Sequence, residues 1–569
     1  MSSLISAIAW VQRGVSAQHP QKYVLDDTEL ERVSALARIE LEDARVELER
    51  AHEAAKSMGK GAEGDEADDQ AEDEDEENWV DEDEDAMDVD SAPKPKDDDL
   101  SQYRLDEYDD DVKTADSGPF SNIKGLTYYR DNEEDPYITL KEDDEDEREE
   151  LEVLPTDNLI VIAKTEDEIS QLEIYVYDES QENLYAHHDV MLPNFPLCLE
   201  WLDFTPASSS SSVPAHTNSK NPGFGNYIAV GTLDPEIEIW SLDVVEAMYP
   251  SSILGRPDQT KAHVPVPLGT GKKKKKKVKH RTVEKGYHVD AVLGLSWNKL
   301  QRNLLASSSA DRTVKLWDLS RDPTINGEVA EDGSGGGAIR SFDVHKDKVQ
   351  AVQWNPKEPS VLLTGSYDRT VRTFDSRSPG SGVGAILGSD VEALRWDPWE
   401  DHGFYVSLEN GLVLNFDVRT LPSNLDNPSS ARFTLSAHDG AVASIDVNPH
   451  IKGCIVTGGT DKLVKVWNVV DESDGGKRNV SLVASRDLGV GKVFSTVFSP
   501  DDPLTLAAAG SKAKLQIWDV GANMGARKAF GSKLREAGRM LREKEANAEG
   551  IIGVASDGDE SSDEGGDEE

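Results

Sequence analysis

One spacing recurs three times in the second half of this chain, and it leaves few folds open. His288, Asp311 and Trp317 are separated by 23 and then 6 residues; His345, Asp368 and Phe374 repeat both intervals, and so do His438, Asp461 and Trp467. Around each set the sequence alternates as short strands do: Leu304–Ser307 then Thr313–Trp317, Val361–Thr364 then Thr370–Phe374, Ile455–Thr457 then Leu463–Trp467. An acidic turn residue separates the two strands each time. A unit repeated at fixed period cannot bury its apolar face alone, so the copies must stack on one another.

Weaker copies extend the series. Val391–Trp396 with Asn410 and Phe416 makes one; Val493–Phe498 with Trp518, where Lys512 holds the turn position, makes another. Upstream lie Leu197–Trp201 with Asp234 and Trp240, and the most degenerate copy, Leu159–Ala163 followed by Leu172–Tyr177. The closing residues Tyr177, Trp240, Trp317, Phe374, Phe416, Trp467 and Trp518 count seven units. The pattern resembles that of the WD-repeat family over roughly residues 155–520. That resemblance implies an all-β fold, a seven-bladed WD-repeat β-propeller, here with helical and disordered acidic extensions. Intervals between closures run from 42 to 77 residues, against about 40–45 for a blade. The excess falls in polar inserts that hold Ser208–Ser212, Lys272–Lys277 and Gly333–Gly337, which belong on loops; the inserts expected in the propeller domain are 131–152, 206–222 and 250–286. No strand candidate is evident after Trp518, so the outer strand of the last blade is expected from Asn122–Arg130. Tyr137–Leu140 is the expected innermost strand of the first.

His, Asp and a hydroxyl in one unit also suit a hydrolase triad. The alternative, which the WD-repeat resemblance implies, is a structural hydrogen-bond network of His288, Ser307, Asp311 and Trp317, repeated as His345, Thr364 and Asp368 and as His438, Thr457, Asp461 and Trp467. Phe374 departs from the family pattern, having no indole N–H. An active site is needed once, whereas this set returns three times at blade spacing, so the structural reading is preferred and no enzyme is expected. No phosphate-binding loop is present, and Gly333–Gly337 reads as a flexible insert. His187 and His188 beside Asp189 suggest a metal, but neighbours on a strand should face opposite ways. No cofactor or metal is expected.

The formal charge of −50 is unevenly spread. Residues 63–99 carry 21 acids against 2 bases, residues 131–152 carry 13 against 2, and 557–569 add 8 acids and no base. Such stretches bury too little apolar surface to offset ordering entropy and are expected to be disordered. Two cysteines, Cys198 and Cys454, exclude a disulfide framework. Leu4–Val11 is too short to span a bilayer and lacks a basic leader. A soluble, monomeric intracellular protein without a membrane role is expected.

The expected domains are a docking motif and charged helix at 1–60, an acidic linker at 61–117, the propeller at 118–520, a helix at 521–550 and an acidic tail at 551–569. Residues 28–56 carry a narrow stripe of Leu30, Val33, Ala37, Leu41, Ala44 and Leu48, on a helix that is either solvated or a partner-docking element. Trp10, in an apolar knot, is a docking candidate or a tie onto the propeller. The run Lys272, Lys273, Lys274, Lys275, Lys276, Lys277, Lys279 and Arg281 reads as a nuclear-import signal in so acidic a chain. Residues 527–549 resemble a helix with Phe530, Leu534, Ala537 and Leu541 on one side and many bases, suited to packing or to RNA. Ser556, Ser561 and Ser562 stand next to or just ahead of carboxylates, a context for acidophilic kinases.

A chain so acidic is expected to bind little nucleic acid directly. Flexible polyanions attract basic proteins instead, raising encounter rates. The order of features is similar to the periodic tryptophan protein 1 family: an opening with Ile5, Ala7, Trp10, Val11, Arg13, Gly14 and Val15, a charged helix, acidic stretches, Leu105–Asp111, the propeller, and Leu192–Leu202 within it. That resemblance implies a protein of the nucleus and nucleolus acting in large ribosomal subunit biogenesis and rRNA maturation, with ribosomal proteins or pre-ribosomal factors as basic partners. The competing readings are a histone-binding chromatin or rDNA transcription regulator and, last, a ubiquitin-ligase substrate receptor.

Overall fold

The computed structural model describes residues 3–23, 148–149, 151–167, 169–207, 224–256, 282–321, 337–378, 380, 382–427, 429–471, 478–536 and 550–554. The helix expected at 28–56, both expected closing strands (122–130 and 137–140), the basic run at 272–281 and the tail serines lie outside these residues. Among the described residues, no helix is long and apolar enough to cross a membrane.

Seven four-stranded antiparallel sheets follow one another along the chain as blades, the fold expected from the repeats. The third blade, Val292–Trp297, Leu304–Ser309, Val314–Asp318 and Arg340–Phe342, shows the local logic. Asp311 opens the turn between its two middle strands and accepts the Thr313 backbone N–H at 2.9 Å. The next residue, Arg312, then turns left-handed at φ 71°. Arg369 and Lys462 do the same at 63° and 72°, and where the fifth blade has Asn410 the following residue is Gly411, at 85°. Glycine adopts that conformation without strain.

Each innermost strand carries a β-bulge at the same place. The register shifts between Ile5 and Ala7, Pro196 and Cys198, Val292 and Gly294, Val349 and Ala351, Val391 and Ala393, Val442 and Ser444, and Val493 and Ser495. The third position is small because the next blade lies against it: a Cβ on Gly294 would stand 3.1 Å from the Gln350 carbonyl.

Innermost strands line the channel as sheet edges, with backbone groups that the ladder leaves open. A belt of side chains closes this gap from blade to blade. Glu200 accepts the Trp297 N–H at 3.0 Å, Ser296 that of Trp354 at 3.1 Å, Gln353 that of Trp396 at 3.1 Å, and Asp446 that of Phe498 at 2.8 Å. Arg395 in the fifth blade instead reaches Asp446 at 2.6 Å.

Ring closure corrects the expectation from sequence. The innermost strand of the first blade is Ser3–Val11, paired with Asn158–Glu166. The outer strand of the last blade is Ile551–Gly553, paired with Leu515–Asp519, so the region expected to be all acidic tail begins with a strand. Both seats expected for 122–130 and 137–140 are therefore filled from the chain ends. Ser252–Leu254, expected to be part of an insert, is the outer strand of the second blade. Between the last two strands of the seventh blade runs α1 (Met524–Glu536), whose Ala526, Phe530 and Leu534 pack into the core of blades six and seven. Of the stripe expected there, Phe530 and Leu534 are seated; Ala537 and Leu541 lie outside the described residues. Lys533 donates to the Lys452 carbonyl at 2.8 Å and to Asn468 at 2.9 Å, so this base is used in packing.

Candidate functional site

The residues singled out by spacing come together three times. In the third blade His288 Nδ1 lies 2.9 Å from Asp311, His288 Nε2 lies 2.7 Å from Ser307 Oγ, and the Trp317 indole donates to the same Oγ at 2.8 Å. An ionised carboxylate only accepts, so His288 donates Nδ1–H to Asp311, and with the ring neutral its Nε2 accepts the Ser307 O–H while the indole takes an acceptor site of the same oxygen. Burial keeps the imidazole below its ordinary pKa, opposed by Asp311. Burial alone would raise the Asp311 carboxyl, but bonds from His288 and Thr313 outweigh it and hold the group well below the usual range. The order Ser–His–Asp matches a hydrolase triad, yet Ser307 is 0% exposed and its oxygen already receives an indole N–H. No substrate carbonyl can reach that oxygen.

The sixth blade repeats the arrangement: His438 Nδ1 to Asp461 at 2.9 Å, Nε2 to Thr457 at 2.8 Å, and the Trp467 indole to Thr457 at 2.9 Å. In the fourth blade His345 lies 3.1 Å from Asp368 and 2.8 Å from Thr364. Phe374 supplies no indole there, and the Thr364 hydroxyl has the Arg372 carbonyl at 3.3 Å as a further partner.

The second blade solves the same problem with a residue that spacing did not indicate. Its closing Trp240 donates to Glu238, two residues earlier on the same strand, at 3.0 Å. Burial pushes the Glu238 carboxyl up to about 7, despite that bond. A group raised in the folded state favours folding at acid pH and loses that contribution as pH rises past its unfolded value. Glu238→Gln keeps an oxygen acceptor and removes the ionisation. It is expected to stabilise the protein by about 1–3 kcal/mol at pH 8 and to change little at pH 5, which urea unfolding at the two pH values checks. Equal effects at both would show that charge is not the cause.

The face carrying these turns also carries a compact acidic patch. Tyr367 immediately precedes Asp368 in the turn of the fourth blade; Asp390 and Glu392 open the fifth blade, and Glu409 lies in its turn. Tyr367 and Glu392 are half-buried and Glu409 is exposed. Burial raises the Tyr367 phenol to about 12, with Glu392, Asp390 and Glu409 adding to the rise. Glu392 is itself raised, first by burial and then by Glu409 and Asp390. The Tyr367 backbone N–H donates to the Lys348 carbonyl at 3.0 Å, which fixes the turn. Charge-balance reading of the tails could not find this cluster, because its members are scattered among ordinary blade residues.

Trp10 does not sit on a surface where a partner could dock. It is 6% exposed, its indole donates to the Val497 carbonyl of the seventh blade at 3.2 Å, and it meets Tyr177 edge-on at 6.1 Å. His187 and His188 do not face opposite ways either. A register shift at Ile174/Tyr175 makes His187 the extra residue of a bulge, and the two Nδ1 atoms approach to 2.7 Å. His187 Nε2 lies 2.9 Å from the Leu151 carbonyl, and burial brings His188 down to about 3. Among the described residues no group of three or more His, Cys, Asp or Glu is placed to hold a metal ion.

Fold and networks together define a WD-repeat propeller. The sequence model of the family "WD domain, G-beta repeat" matches residues 281–318, 336–375 and 429–468, the three blades with complete His–hydroxyl–Asp sets. Over nearly its whole length the chain is 40% identical to an uncharacterized WD repeat-containing protein of Schizosaccharomyces pombe, covering 94% of this chain and 92% of that one. It is 34% identical to periodic tryptophan protein 1 of Saccharomyces cerevisiae, covering 95% and 92%. With the Drosophila melanogaster homolog of that protein it shares 28% over 93% and 96%. The chain belongs to the periodic tryptophan protein 1 family, and is a WD-repeat scaffold.

Proposed function

We propose that this chain is a non-enzymatic nuclear and nucleolar scaffold for large ribosomal subunit biogenesis and rRNA maturation, holding a basic segment of a protein partner on the acidic face around Tyr367. The observation that carries this reading is the pair Glu392 and Glu409 beside a half-buried tyrosine, next to Asp390, which Arg369 already engages at 3.1 Å. A lysine or arginine placed there meets carboxylates and an aromatic face together. The acidic stretches 63–99 and 557–569 would raise the local concentration of such a partner. Entry to the nucleus is assigned to the basic run Lys272–Lys277, Lys279 and Arg281, and acid-directed phosphorylation to Ser556, Ser561 and Ser562.

Pulse-labelled pre-rRNA processing after acute depletion tests the proposal. Early loss of large-subunit precursors with small-subunit rRNA intact is the expected result, restored by the wild-type chain but not by Glu392→Lys with Glu409→Lys. Normal processing and normal subunit ratios would discard ribosome assembly in favour of histone binding.

A further inference from the structure

Antiparallel blades place the first and third connections of each blade on the face opposite the acidic patch. There a cleft of about 730 Å³ opens between blades five and six. Trp399 and Glu400 come from the first connection of the fifth blade, Arg419 and Arg432 from its third, and Arg478 from the start of the outer strand of the sixth. Glu400 receives Arg432 at 2.6 Å and also Arg478. Arg419 grips Asp417 through Nε at 3.0 Å and Nη2 at 2.7 Å, and Arg432 pairs with the same carboxylate. The hydrogen bonds from Arg419 hold Asp417 well below the usual carboxylate range. This lattice fixes the guanidinium groups while leaving the Arg419 side chain 65% exposed.

At the rim, the Trp399 indole N–H donates to the Asn448 carbonyl of the sixth blade at 3.0 Å, which holds the ring in place with Trp399 40% exposed. A large aromatic held still at a cleft mouth, beside an outward guanidinium, has lost little freedom that a ligand must remove. Two features decide what fits. Glu400, Asp417 and Asp471 already face the arginines, so a polyphosphate chain meets fixed negative charge at each step. One exposed aromatic also offers no platform for successive bases. A single carboxylate at the free edge of Arg419, next to one apolar side chain on the indole, meets neither obstacle.

We propose that this cleft docks a short peptide segment of a protein partner, with one aromatic side chain lying on Trp399 and a single neighbouring carboxylate on Arg419. The site is separate from the acidic face and does not depend on it. Its test uses the purified full chain and the amidated, fluorescein-labelled peptide Gly-Ser-Phe-Asp-Gly, which carries one aromatic ring and one side-chain carboxylate, read by anisotropy. Saturable binding is expected, weakened roughly tenfold or more by Trp399→Ala, by Arg419→Ala, and by replacing the phenylalanine of the probe with alanine. Arg419→Ala removes a side chain mostly in solvent, so it decides the matter should Trp399→Ala fail to fold. Absence of saturable binding, equal affinity for the wild type and Arg419→Ala, or displacement of the peptide by oligo(U) RNA would overturn the proposal.

Discussion

Deleting residues 1–12 is expected to abolish the cooperative thermal transition of the propeller and to leave a protease-sensitive chain. Ser3–Val11 pairs along its length with Asn158–Glu166 and is buried on both faces. Beyond the bulge, Ile8 and Trp10 enter the core shared with the seventh blade, while Ala9 and Val11 enter that shared with the second. Arg13 then clamps the junction, bonding Asp502 at 2.7 Å and Glu179 at 3.0 Å. Burying Ile5, Ile8, Trp10 and Val11 stabilises by about 1.5–3 kcal/mol each, so together they approach the whole net stability of about 5–15 kcal/mol of a typical domain. Trp10→Ala alone should cost about 3–5 kcal/mol, and Trp10→Phe, which keeps most of the packing but loses the bond to Val497, about 1 kcal/mol. Circular dichroism melts and limited proteolysis read all three. A truncated chain melting cooperatively within a few degrees of wild type would show that the ring closes without this strand.

The blades were legible because turn and closing residues sit at fixed intervals, and the structure places His288, Asp311 and Trp317 and their copies where those intervals put them. Ring closure was misread although its signal is present. Every innermost strand runs from a bulge residue to a core residue five positions on: Pro196 to Trp201, Val292 to Trp297, Val349 to Trp354, Val391 to Trp396, Val442 to Val447 and Val493 to Phe498, with a small residue at the third place. Ile5 to Trp10, with Ala7 third, is the same signature, separated from its blade by more than a hundred intervening residues. Distance along the chain hid it. Ile551–Gly553 was illegible for another reason: a three-residue outer strand next to an acidic tail carries too short a pattern to stand out. The cleft of Trp399 and Arg419 was likewise invisible, because its walls come from connections in two blades and only the fold brings them together.

Asp311→Ala is expected to destabilise the protein by about 2–4 kcal/mol at neutral pH, far more than a surface substitution. The carboxylate accepts from His288 Nδ1, the Val289 N–H, the Thr313 N–H and the Thr313 hydroxyl. Alanine takes the carboxylate acceptor from the buried His288 and Thr313, and the left-handed Arg312 loses the turn that stabilises it. The effect should depend on pH in a definite sense. The folded state depresses Asp311 below its ordinary 3.8, so its contribution is present above that value and fades as pH falls through it. His288 is also lowered from 6.5, so the wild type should begin to lose stability below about pH 6.5 as the unfolded imidazole takes up a proton. The gap between wild type and Asp311→Ala should therefore narrow below about pH 4, where the unfolded carboxyl is protonated. Urea midpoints measured across that range decide it. A variant with an unchanged midpoint at neutral pH would show that this network does not stabilise the fold.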